Sequence, residues 1–344
     1  MAVPGQAGSM GPAARQERAA ALEPRERLSD RAQPLTMKSL IIAPHCSTGG
    51  MPAYVEQFMK QCPHEFHFAE FKNYSDDYTV QRDNIRKGHD WSCHNGNEGS
   101  LISLIDDLNP DLVHFQEEPT SFLTKKTVGD ILQRRGRWIF VLTSHERDLD
   151  YSSLPYKADR YIAVCHWQAR MIHQQIPSAD VVVWEYPITR RPPPKSFKRT
   201  LQRSLGMDPK KKHLVQLGLW TAHKRQDWTI DAARHLPDSW EVHFVGNRAP
   251  NMEDYWSRLT VPSNCKVWGE RRDIDKILKA ADAFVLPSTK ELAPISLREA
   301  LSAGLPCFIS PLEVYEGSHA DDDVSFIDLD DPKSLADALN ERSL

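Results

Sequence analysis

Phe284-Val285-Leu286-Pro287-Ser288-Thr289-Lys290-Glu291 runs through Leu292–Arg298 into Glu299-Ala300-Leu301-Ser302-Ala303-Gly304-Leu305-Pro306. Ala283–Leu286 is a short apolar run, read as a strand, and proline and serine end it. Leu297–Ala303 has helical spacing, and Pro306–Ser310 opens another strand. Glu291 therefore falls in a loop and Glu299 in the first turn of a helix, with seven residues between them. A loop carboxylate can accept hydrogen bonds from sugar hydroxyls, and a helical one can hold a ribose. Ser296-x-x-Glu299 is equally a capping box, in which Glu299 satisfies a backbone amide. Both readings of Glu299 stand at this point.

The alternation of strand and helix continues outward in both directions. His213–Leu219, Glu241–Val245, Lys266–Trp268 and Val324–Ile327 read as strands, with helices at Trp228–Arg234 and Ile274–Ala281. An earlier set repeats the pattern, with strands at Leu40–Ala43, Phe66–Phe71, Asp111–Phe115, Trp138–Thr143, Tyr161–Val164 and Val181–Trp184. Helices are expected at Pro52–Gln61 and Leu101–Leu108, and residues 72–98 are polar, as in a long functional loop. Such alternation marks a doubly wound α/β layer structure. Between the two sets lies Arg190-Arg191-Pro192-Pro193-Pro194-Lys195, a stiff proline-rich stretch that predicts a hinge at about 187–200. Two α/β halves, 37–189 and 190–344, imply a cleft, and ligands in such sheets sit outside the carboxyl ends of the strands.

Residues 1–36 are rich in Ala, Arg, Pro, Glu and Gly and read as a disordered leader. Glu17, Glu23, Glu26 and Asp30 argue against a transit peptide. The chain of 344 residues is 40% apolar and 26% charged, with a formal net charge of −4. That charge gives no overall attraction to nucleic acid. No apolar run approaches the ~20 residues that span a bilayer, and no secretory apolar segment is present. The six cysteines are scattered, so a reduced, cytoplasmic protein is expected. His64-x-x-His67 and Cys93-His94 lack partners at metal-ligand spacing, and Asp321-Asp322-Asp323 lacks the EF-hand spacing, so no metal or other cofactor is expected. The basic run from Arg190 to Lys212 reads either as a solvated linker or as a contact for an anionic membrane or lipid-phosphate acceptor.

Ser47-Thr48-Gly49-Gly50-Met51-Pro52 follows the first strand and opens the first helix. Two glycines allow close backbone approach, and free amides at a helix start form an anion site. The same residues equally suit a plain strand-to-helix turn. Gly218-Leu219-Trp220-Thr221-Ala222-His223-Lys224-Arg225 holds the matching position in the second half. A lysine there can reach a diphosphate as a point charge, or can be an ordinary solvated lysine.

The stretch Lys266–Pro306, with its Glu-x7-Glu element, resembles the retaining family 4 glycosyltransferases, and a looser similarity extends over residues 38–340. The resemblance implies the GT-B fold, two Rossmann-like domains facing a cleft: an acceptor-side domain at 37–189 and a nucleotide-sugar-binding domain at 190–344. It implies transfer of a hexose from a UDP-, GDP- or ADP-sugar to a hydroxyl of a glycan, lipid or small-molecule acceptor with retention, the nucleotide sugar being a co-substrate. Matching positions give diphosphate-binding roles to Gly49, Gly50 and Lys224 and a donor contact to His145. Sugar and ribose contacts fall to Glu291 and Glu299, and backbone contacts to Pro294, Ile295 and Ser296. Arg225 beside the lysine joins the donor side, because Leu219 stands where the family often has an arginine. Leu292-Ala293-Pro294 replaces the usual Gly-Phe-Gly, and the chain reads as a compact or truncated member. Two rivals remain: a non-catalytic nucleotide-sugar-binding protein or partner subunit, and a nucleotide-sugar 2-epimerase.

Overall fold

The computed structural model describes residues 36–47, 49–73, 80–315 and 323–342; the expected leader up to residue 35 and Asp321-Asp322 lie outside them. The first half contains β1 (Lys38–Ala43), α1 (Gly50–Gln61), β2 (Glu65–Glu70), α2 (Val80–Gly88), β3 (Asp90–Cys93) and α3 (Glu98–Leu108). It continues with β4 (Leu112–Gln116), α4 (Lys125–Leu132), β5 (Ile139–Thr143), β6 (Arg160–Ala163), α5 (His166–Gln175) and β7 (Val181–Val183). These strands form a seven-stranded sheet in the order β3-β2-β1-β4-β5-β6-β7.

The second half opens with α6 (Lys195–Ser204), β8 (Lys212–Leu217), α7 (Gln226–Ala233), β9 (Trp240–Val245), α8 (Glu253–Trp256) and β10 (Cys265–Gly269). It ends with α9 (Ile274–Ala280), β11 (Ala283–Leu286), α10 (Ile295–Ser302), β12 (Cys307–Ile309), β13 (Val324–Phe326) and α11 (Ser334–Glu341). Its six-stranded sheet runs β10-β9-β8-β11-β12-β13. Every pairing in both sheets is parallel. Parallel strands are covered on both faces by crossover helices, which is why central strands such as Leu40–Ala43 and Phe284–Leu286 are continuous apolar runs. One hydrophobic cluster crosses between the halves, joining Ile41, Phe58 and Trp167 to Val215, Leu286 and Leu297.

Residues 80–93, expected within an irregular loop, instead carry α2 and β3. The apolar stripe of α2 is faint because only Arg82 and Ile85 are buried. A buried ion pair anchors this helix: Arg82 Nε and Nη2 donate to the two Glu70 oxygens at 2.8 and 2.7 Å. Glu70 Oε1 also accepts from the Cys46 amide at 2.8 Å, which ties the end of β2 to the loop after β1. Within the expected hinge region at about 187–200, α6 begins directly after Pro194, its N-cap.

Candidate functional site

A cavity of about 470 Å3 opens where the carboxyl ends of the two sheets face one another. Its walls come from the residues that follow β1, β5, β6 and β7 on one side and β8, β9, β10 and β11 on the other. Two helices point their N-termini into it. Gly49, with φ 129°, is the N-cap of α1, and no side chain caps that helix. Pro294 is the N-cap of α10, again with no side-chain cap. The two ends are close: a Cβ on Gly50 would lie 3.7 Å from Ile295 Cδ1. Each leaves first-turn N–H groups without intrahelical partners and carries the positive end of a helix dipole. Two positive ends facing one space favour an anion between them.

The structure also decides the cap at Glu299. The N-cap is Pro294, so Ser296 already lies inside α10 and the capping-box reading fails. Glu299 lines the cavity, and its carboxylate makes no hydrogen bond or ion pair with the described residues. Burial, followed by the like charge of Asp275, pushes its carboxyl up to about 7. Lys224, in the short turn after β8, reaches across to Glu291, with Nζ 2.6 Å from Oε1. Their side chains are only 19% and 8% exposed, so each charge depends on the other for solvation. Arg225 has a left-handed backbone and pairs with Asp227 at 3.0 Å; it does not line the cavity.

Gly49, Gly50, His145, Lys224, Glu291, Pro294, Ile295, Ser296 and Glu299 all line this one cavity. Burial holds the His145 ring neutral, lowering it to about 3. Leu219 lines the cavity too. Several lining residues were not anticipated, among them Tyr186, Gly246, Asn247, Glu270 and Arg271. Gly246 has a specific reason to be glycine: at φ 135° a Cβ would lie 2.2 Å from the Gly218 carbonyl oxygen. Asn247 joins two strand ends, accepting from the Glu270 amide at 3.1 Å and donating to its carboxylate at 3.2 Å. Their shared signal is position, since each stands just past the end of β7, β9 or β10.

A second polar cluster lies away from the cavity. His213, Glu241 and His243 converge on one face of β8 and β9, with ligand-type atoms within 4.8 Å of one another. The spacing escaped sequence reading because the histidines come from paired strands. Trp268 Nε1, a donor only, bonds His243 Nδ1 at 3.0 Å. The His243 proton is thereby on Nε2, which donates to His213 Nδ1 at 2.9 Å, and His213 Nε2 donates to the Asp208 carbonyl at 3.0 Å. This relay uses the lone pairs a metal would need, and Glu241 faces Lys266 at 3.1 Å.

On α6, Lys195, Arg199 and Arg203 lie at helical spacing on the exposed side without an acidic partner among the described residues, and Phe197 is half exposed. No helix among the described residues is long and apolar enough to cross a membrane.

HepE of Anabaena, solved in complex with UDP-glucose, has the same fold, with a TM-score of 0.70 at 18% identity over 89% of each chain. That likeness fixes the fold as GT-B. The Escherichia coli UDP-Gal:alpha-D-GlcNAc-diphosphoundecaprenol alpha-1,3-galactosyltransferase is 37% identical over 119 residues, 32% of this chain and 30% of that enzyme. The lipopolysaccharide glucosyltransferase WaaG of Escherichia coli K12 is 33% identical over 106 residues, 29% of this chain and 28% of WaaG. Each alignment thus spans less than a third of the curated relative. Residues 211–342, which hold most of the cavity's charged groups, match the family described as Glycosyl transferases group 1.

Proposed function

We propose that this chain is a glycosyltransferase that moves a hexose from a UDP-linked donor to an acceptor hydroxyl, with retention at the anomeric carbon. The observation that carries the reading is the pair of uncapped helix N-termini facing one cavity, with Lys224 and two carboxylates around it. A diphosphate satisfies the helix ends and the lysine. Glu291 then turns from Lys224 to the sugar hydroxyls, and Glu299 takes the ribose. The leaving UDP gathers negative charge in the transition state, and amides already aimed at it need no reorganisation. Fixed amides and Lys224 take the place of a divalent cation. The donors named for HepE and for the galactosyltransferase favour UDP. Six free cysteines suit a cytoplasmic setting.

The test is multiple-turnover release of UDP from a panel of UDP-sugars with simple and lipid-linked acceptors, the product anomer being read by NMR. Glu291→Gln should keep the fold and lower turnover ten- to a thousand-fold, about 1.4–4 kcal/mol of transition-state stabilisation. UDP binding without turnover for any pair would leave the non-catalytic reading in its place. An inverted product anomer would remove retention.

A further inference from the structure

Among the described residues His145 is the histidine that lines the donor cavity, and the chain grips it in two places from a single corner of the neighbouring strand. Gln116, the last residue of β4, is fully buried. Its Oε1 lies 3.0 Å from His145 Nε2, and its Nε2 lies 3.0 Å from His114 Nε2. The amide oxygen of Gln116 is the atom that faces His145, and an amide oxygen can only accept, so it takes the Nε2–H of His145. The neutral ring then carries its lone pair on Nδ1, and Nδ1 has no partner among the described residues. Glu117, the next residue, holds the main chain of the same histidine. Its Oε2 accepts from the His145 amide and from Ser144 Oγ, both at 3.1 Å.

Successive side chains of a strand point to opposite faces, so two neighbours do not ordinarily reach one residue. They do here because Glu117 has φ 128°, a left-handed conformation that non-glycine residues rarely adopt. The corner is pinned, since the Glu117 amide donates to the Thr143 carbonyl at 2.8 Å. Among the described residues the Glu117 carboxylate has no cation beside it, and burial pushes it up to about 7. A strained backbone and a desolvated carboxylate, both spent on one histidine, need a function to account for them.

We propose that Gln116 and Glu117 are positioning residues for His145: Gln116 fixes the ring proton on Nε2 so that Nδ1 accepts a hydrogen bond from a donor-sugar hydroxyl, and Glu117 fixes the main chain that presents the ring. This rests on the donor-site reading of the cavity, so the test has an arm that needs no donor. Full-length protein labelled with 15N-histidine, with His145 assigned by its loss in His145→Asn, reports the tautomer directly. The unliganded wild type should show the neutral Nε2–H form, and Gln116→Leu should populate both tautomers.

In the second arm, UDP and UDP-glucose affinities are compared. Gln116→Leu and Glu117→Gly should keep UDP affinity within about two-fold and lose about ten-fold of the UDP-glucose increment, the worth of one hydrogen bond in a dry site. Glu117→Gln should restore it, because its amide oxygen accepts the same two bonds. Glycine tolerates the left-handed backbone, so melting curves should show Glu117→Gly still folded. An Nδ1–H tautomer in the wild type overturns the assignment. So does wild-type UDP-glucose affinity in both Gln116→Leu and Glu117→Gly. If the wild type binds neither UDP nor UDP-glucose, the donor reading fails, and the tautomer arm still decides the role of Gln116.

Discussion

Replacing Glu299 by glutamine should make the protein more stable and a poorer binder of nucleotide, and the two effects come from the same desolvated carboxylate. Burial raises the Glu299 carboxyl from 4.5 to about 7. At 1.36 kcal/mol per unit, the folded state at pH 8 carries about 3 kcal/mol against it. The sign follows from proton uptake. Between pH 4.5 and 7 the folded chain holds this proton more tightly than the unfolded chain, so stability falls as pH rises through that window and is level above it. Glu299→Gln removes the charge with little change of shape. It should raise the unfolding free energy by about 3 kcal/mol at pH 8 and by almost nothing at pH 4.5. Over the same comparison it should give up the charge-assisted hydrogen bond proposed to the ribose, worth about 1.5–3 kcal/mol, or roughly 10- to 150-fold in UDP affinity. Calorimetric unfolding of both proteins at the two pH values, beside UDP titrations at pH 8, measures both quantities. A variant less stable than wild type at pH 8, or a gain independent of pH, would show that the carboxylate is not strained by burial. Unchanged UDP affinity would take Glu299 away from the ribose.

Three further outcomes follow from the geometry. Lys224→Ala should weaken UDP binding by roughly 10- to 150-fold, the worth of a charge-assisted phosphate contact, and leave uridine binding almost unchanged; equal losses for both ligands place the lysine elsewhere. Transfer should survive excess EDTA, since two helix ends and Lys224 surround the phosphate position, and activity abolished by EDTA and restored by magnesium or manganese contradicts that. Co-sedimentation with phosphatidylglycerol vesicles should fall by about two orders of magnitude in the Lys195→Gln, Arg199→Gln, Arg203→Gln triple variant, at ~1 kcal/mol per basic residue near an anionic surface; equal binding to neutral phosphatidylcholine vesicles, or no binding by the wild type, rules α6 out as a membrane contact.

What could be read from the sequence follows from how local each feature is. Leu40–Ala43 and Ala283–Leu286 announced themselves because strands covered on both faces are apolar throughout. Helix α2 did not, since a charge pair between Arg82 and Glu70 anchors it where an apolar stripe usually would. The capping box at Ser296 and Glu299 had the right residues in the wrong frame: the helix starts after Pro294, and only the backbone shows that. Gly246 was invisible because its constraint is the Gly218 carbonyl on the neighbouring strand. The relay through His213 and His243 was hidden for the same reason, since strand pairing brings the two rings together.

All of the expected donor-side residues except Arg225 line the cavity, but their energetics were not legible in the sequence. Lys224 and Glu291 are 67 positions apart, and their pairing is a property of the folded chain. Three features of the cavity each work against folding: two positive helix ends facing one space, a desolvated Glu299 carboxylate with no partner among the described residues, and a largely buried lysine paired with Glu291. Separately, each could be an accident of packing. A ligand with a diphosphate, a ribose and a hydroxylated ring relieves all three together, the anion between the helix ends and on the lysine, the hydroxyls on the two carboxylates. An inorganic anion relieves only the helix ends and the lysine, and a nucleoside only Glu299. At equal free ligand concentration, stabilisation by a nucleotide sugar should therefore exceed the sum of that given by phosphate and uridine, because the linked ligand loses its freedom of motion once. Thermal shifts with the three ligands test this, and additivity would mean that the groups lining the cavity do not act as one site.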